Sequence, residues 1–150
     1  MQDGFDRCGV GIRGVAMAID SFVWLAAVFV AGFAVAVPTD QVVVSGGSVS
    51  TDLTGGPAAA ALGLWLALAI GYHTLLEWRY GRTIGKALVS IRVVSDDGTP
   101  PSLSSALVRN VARLVDWLPL LYAVGIVAVL VSDSSGRIGD RLGGTAVVRP

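Results

Sequence analysis

From Gly14 to Val37 the chain reads GVAMAIDSFVWLAAVFVAGFAVAV, 24 residues with one ionisable side chain, Asp20. A helix rises about 1.5 Å per residue and the hydrocarbon core of a bilayer is about 30 Å thick, so this run crosses a membrane with length left for tilt. Arg13 stands just before the run and Asp20 nearly two helical turns later, so both project from one side of the helix. A carboxylate facing lipid near the middle of a span costs roughly 2.5 to 3.5 kcal/mol. Asp20 is therefore expected to face protein, water or an ion. The run is too long for the core of a signal peptide, and an aspartate inside it is foreign to one.

The remainder of the chain has to supply that shelter within 150 residues, of which 53% are hydrophobic and 15% charged. Soluble domains carry about 25% charge, so the totals describe one small integral membrane domain spanning 1–150. Eleven basic and eleven acidic residues leave no basic excess, which argues against a nucleic-acid partner. One cysteine, Cys8, allows neither an internal disulfide nor a cysteine-based metal site. No nucleophile with a base, metal cluster or cofactor loop is visible, so no enzyme and no cofactor is expected.

After Pro38, the segment 38–57 contains Asp40 and Asp52 but no Lys or Arg, and the positive-inside rule places it outside the cell. It reads as a solvated loop, with a small hairpin around Gly46-Gly47 as the alternative. A second apolar run, 58–78, returns to the inside. Arg79, Arg82, Lys86 and Arg92 follow it and fix the orientation, giving a multi-pass protein of the cell membrane with cytoplasmic termini. Residues 87–95, ALVSIRVVS, precede the turn signal Asp96-Asp97-Gly98 and predict a strand, paired with 145–149 in a cytoplasmic β-ribbon. Helical periodicity recurs over 102–118, and 120–132 is apolar again after Pro119. Each half is short for a crossing, and Arg137, Arg141 and Arg149 belong inside, so the pair is expected to dip into the membrane and return. The fold class is thus an all-α membrane protein: two transmembrane helices, a short dipping helical hairpin and a small ribbon.

Several spaced motifs carry a resemblance. They are Arg13-x-x-Ala16-x-x-x-Asp20; Tyr72 with Glu77; Gly81-x-Thr83-x-Gly85-Lys86; Arg92-Val93-Val94 with Gly98; Arg109; and Asp140-Arg141-Leu142-x-Gly144-Thr145-x-Val147-Val148. Together they resemble the RDD family of membrane proteins over nearly the whole chain. The family is named for one arginine and two aspartates, which by position look like Arg13, Asp20 and Asp140. Where relatives often have an aromatic residue or His before the last aspartate, this chain has Ile138-Gly139, so a proton-handling histidine beside Asp140 is missing. The resemblance implies a membrane protein for which ion transport has been suggested.

Read from the residues themselves, Asp20 is either a reversible proton or cation site or a structural carboxylate tied to Arg109 or Arg113. Arg13 lies about 10 Å from it along the helix axis, too far for a simple pair, so each is expected to meet a partner elsewhere. His73 and Glu77, one turn apart, lack further ligands for a metal and read as a polar helix end that helps solvate the surroundings of Asp20. The sequence GRTIGK at 81–86 is one residue short of a phosphate loop and reads as a glycine turn with Lys86 at the headgroups. Arg109, Arg113 and Asp116 share a helical face, either solvated or lining a polar cavity with Asp20. Asp140, between Arg137 and Arg141, could latch the C-terminal segment to the hairpin.

Two functions remain. One is proton-coupled movement of a small cation by a homo-oligomer, since two crossings cannot enclose a pathway. The other is a non-transporting scaffold, assembly factor or accessory subunit that binds another membrane protein. The bilayer itself is a partner in both.

Overall fold

The two apolar runs each become an unbroken helix in the computed structural model of the chain, α1 at Val10–Ala36 and α2 at Gly55–Tyr80. The structure describes residues 8–117, 140 and 142–149, with the backbone alone at 10 and 115–117. Both helices exceed the apolar runs, because helical hydrogen bonding continues through the polar flanks that carry Arg13 and Arg79. α1 stops before Pro38, where Thr39 Oγ1 donates to the otherwise unserved carbonyl of Val35 at 2.7 Å. Phe22, Leu25 and Phe29 on α1 and Leu62 and Leu68 on α2 are exposed. Such a surface suits acyl chains and not water.

The chain divides into two units, Ser21–Gly71 and a second formed by Met1–Asp20 with Tyr72–Pro150. Within the first, Trp24 and Trp65 meet edge to face at 5.9 Å, and Trp65 Nε1 donates to Trp24 O at 3.2 Å. The segment between the helices forms a hairpin of β1, Val42–Ser45, and β2, Ser48–Thr51. This corrects the expected loop. Gly46 and Gly47 have φ of +57° and +80°, the paired left-handed conformation that a two-residue hairpin turn demands, and the flanking valines favour strand. Gln41 anchors the hairpin, its N–H donating to Ala36 O and its side chain accepting from Thr54 N.

In the second unit the expected strand over 87–95 is shorter. Residues Ile84–Leu88 form a helical turn, α3, and only Arg92–Ser95 is strand, β3. The reason is local: Thr83 caps α3 by accepting from Lys86 N, which commits Ala87 and Leu88 to the helix despite the β-branched residues beyond. β3 pairs antiparallel with β4, Thr145–Val148, with Val93 opposite Val147. Cys8 N donates to Val147 O at 3.0 Å. Cys8, Ala16, Ile91, Val93 and Val147 form the apolar core of this unit.

Between the strands runs α4, Leu103–Trp117, started by Ser102, whose Oγ accepts from Ser105 N at 3.1 Å. Its amphipathicity is inverted. Leu103, Leu107, Val108 and Val111 are exposed, whereas Ala106, Arg109, Asn110 and Arg113 are buried. The second helix of the expected dipping pair, 120–132, lies outside the described residues, as do the side chain of Asp116 and the whole of Arg137 and Arg141.

Candidate functional site

Asp20 is 2% exposed and sits nearly three turns inside α1. Its Oδ1 accepts from Tyr72 Oη at 2.8 Å and from Gly85 N at 2.9 Å, and its Oδ2 accepts from Thr83 Oγ1 at 2.6 Å. Tyr72 in turn accepts from Ile84 N at 3.1 Å. Three donors on two oxygens suit a carboxylate, and hydrogen bonds to charged groups are worth about 1.5–3 kcal/mol each. None of these donors carries a charge. Together they tie α1 to α2 and to the segment 83–85.

That approach is possible because residue 85 is glycine. A Cβ there would land on the carbonyl oxygen of Ala16 and lie 2.9 Å from Asp20 Cγ. The backbone of α3 therefore touches the backbone of α1, and the N–H of Gly85 reaches the carboxylate directly.

Glu77, fully buried near the end of α2, is the hub of a second cluster. Lys86 of α3 pairs with its Oε1, and from α4 Arg113 approaches the same oxygen at 3.7 Å. Its Oε2 takes Asn110 Nδ2 at 3.1 Å and lies 3.3 Å from Arg109 Nε. Arg113 also donates to His73 Nδ1 at 2.9 Å, which makes that ring nitrogen an acceptor. Arg109 passes the network onward: its NH1 meets Asp140 Oδ1 at 2.7 Å and Thr145 Oγ1 at 3.1 Å. Asp140 completes a bridge to α1 by taking Arg13 NH1 on Oδ2 at 2.8 Å.

The two clusters meet at a cavity of about 20 Å3, whose wall includes Arg13, Asp20, Lys86, Arg109 and Arg113. This is room for one water molecule. Burial, with Arg109 and Arg113 adding to it and Glu77 opposing, lowers the ammonium of Lys86, 6% exposed, from its ordinary 10.5 to about 7. The unfolded chain holds this proton up to about 10.5, so between pH 7 and 10.5 the unfolded state binds more protons and stability rises with pH. Unfolding free energy relative to a Lys86→Met variant is expected to increase across this window. A difference that stays flat with pH would contradict this assignment.

The structure gathers Arg13, Asp140, His73, Glu77, Lys86, Arg109 and Arg113 into one buried ion-pair network, with Asp20 beside it in its own set of neutral donors. Several expected roles change. Asp20 is not held by Arg109 or Arg113, which are drawn to Glu77 and Asp140; neutral donors hold it instead. Lys86 is buried against Glu77 and not presented outward as expected. GRTIGK is a cap and helix start, not a simple glycine turn. Glu77 organises cations and does not serve Asp20. Arg109 and Arg113 line the cavity with Asp20 and form no solvated face. The residues missed were Tyr72, Thr83 and Gly85 around Asp20, and Asn110 and Thr145 around Glu77 and Arg109; four of the five stand in the spaced motifs, where nothing assigns them a partner. Asn110 follows Arg109 directly, and nothing in its spacing marks it as a partner of Glu77. Among the described residues, no group of three or more His, Cys, Asp or Glu is placed to hold a metal.

Two helices long and apolar enough to cross a bilayer, joined to a network of buried ion pairs, define a mostly helical membrane protein. The family model of the RDD family matches residues 7–144, and the chain belongs to that family. Searches of curated proteins and of solved structures gave no match.

Proposed function

We propose that this chain is a non-transporting membrane scaffold or accessory subunit, whose buried polar network clasps its own segments into a fixed shape for a partner membrane protein. The observation that carries this is the saturation of Asp20 by Tyr72, Thr83 and Gly85. A carrier carboxylate must give up its ligands in each cycle, whereas this one is committed to three. The reading has both termini cytoplasmic, the β1–β2 hairpin outside and α4 dipping into the bilayer with Leu103, Leu107 and Val111 against lipid. It assigns the chain no enzymatic chemistry. On α1, Ala31 and Ala36 are covered within the chain, leaving Ala26 and Ala34 exposed for helix contact with a partner.

A second reading, proton-coupled movement of a small cation by a homo-oligomer, draws support from Asp20 sharing a cavity with Lys86. Sealed liposomes containing a pH-sensitive dye separate the two. Pulses of Na⁺, K⁺ or Li⁺ are expected to leave internal pH unchanged with the unmodified protein. Asp20→Asn is expected to lower unfolding free energy by about 1–3 kcal/mol. Ion-driven pH changes with the unmodified protein that vanish in a folded, inserted Asp20→Asn variant would replace the scaffold with the carrier.

A further inference from the structure

Among the described residues, the wall of the small cavity contains four cationic side chains, Arg13, Lys86, Arg109 and Arg113, and one carboxylate, Asp20. All four cations are at most 9% exposed. The carboxylates that pair with them, Glu77 and Asp140, are not part of this wall. Among the described residues of the wall Asp20 alone is anionic, and its oxygens are engaged by Tyr72, Thr83 and Gly85. Removing cations from water is expensive unless negative charge is close, and in a low-dielectric surrounding a nearby anion counts far more than in solvent. The side chains are also held in place: Arg109 by Asp140 and Thr145, Lys86 and Arg113 by Glu77, Arg13 by Asp140. A site preorganised in this way spends little ordering entropy on its ligand.

We propose that this cavity binds a monatomic anion, of the halide class. Size selects the class: a space of about 20 Å3 takes a particle near the size of one water, and a tetrahedral oxoanion with five heavy atoms does not fit. Charge selects against a cation, which would enter a wall dominated by guanidinium and ammonium groups. The halide site goes beyond the scaffold reading and does not depend on it.

Equilibrium binding of radioactive chloride to the purified full-length protein in lipid nanodiscs tests this. Saturable binding near one chloride per chain is expected, displaced by bromide and not by sulfate. Lys86→Met is expected to weaken binding at least about ten-fold, equivalent to about 1.4 kcal/mol, while Arg92→Met, at an exposed position, leaves it unchanged. Absence of saturable binding, equal displacement by sulfate, or unaltered binding in folded Lys86→Met overturns the proposal. If Lys86→Met does not fold, anomalous scattering from crystals of the unmodified protein grown in bromide decides the matter. A peak among Arg13, Lys86, Arg109 and Arg113 upholds the site, and a peak elsewhere or none overturns it.

Discussion

Gly85→Ala is expected to be among the most damaging single substitutions in the chain, although it adds one methyl group. The new Cβ would fall on the Ala16 carbonyl oxygen and 2.9 Å from Asp20 Cγ, so backbone must move away from backbone. Overpacking of this kind costs typically about 1–3 kcal/mol even where flexible side chains absorb it, and here the obstacle is a helix main chain. Retreat of α3 also lengthens the hydrogen bond from Gly85 N to Asp20 Oδ1, now 2.9 Å, and leaves a buried carboxylate short of a donor. The combined loss is expected to reach about 3 kcal/mol or more. Denaturant unfolding in mixed micelles, followed by circular dichroism, measures it. A variant as stable as the parent would mean that α1 and α3 do not touch.

The second large effect is expected from Glu77→Gln. The carboxylate is completely buried and faces Lys86, Arg109 and Arg113. Glutamine keeps the shape and the Asn110 contact but leaves three cations without their shared anion. Breaking a buried ion pair by removing one partner costs about 3–5 kcal/mol, mostly the penalty of stranding the other charge. Part of that loss should return when one stranded charge is removed, so Glu77→Gln with Lys86→Met is expected to be more stable than Glu77→Gln alone. If the double variant is the weaker of the two, Lys86 contributes packing and not charge at this position.

Much of this arrangement was legible in the sequence, and the limits have physical causes. The two long apolar helices follow from run length alone, since an uninterrupted run of about twenty apolar residues suits little but a helix able to cross a bilayer. The pairing of β3 with β4 followed from elimination, because a lone strand leaves its backbone unserved. The hairpin was underestimated because its strands are exposed and serine-rich, so the Gly46-Gly47 turn carried the only strong signal. α3 was misread because Val89, Ile91, Val93 and Val94 bias the window toward strand, while the decisive Thr83 cap lies outside it. That Asp20 would be sheltered followed from the cost of a carboxylate inside an apolar run, whereas the burial of Lys86 against Glu77 did not. The pairings were not legible at all. Which cation meets which carboxylate depends on helix rotation, and a sequence does not state that Lys86 turns under Glu77 or that Arg13 reaches Asp140.

The central claim is that Asp20 is a structural clasp, and a double-mutant cycle on its shortest hydrogen bond tests that most directly. Unfolding free energies would be measured for the parent, Asp20→Asn, Thr83→Val and the double variant. Thr83 Oγ1 lies 2.6 Å from Asp20 Oδ2, and partners in a buried charge-assisted bond are expected to show a coupling of about 1–3 kcal/mol. A coupling of that size, with the double variant hardly worse than either single one, is the predicted result. Free energies that simply add, to within about 0.3 kcal/mol, would show that Asp20 does not depend on Thr83 and would contradict the clasp.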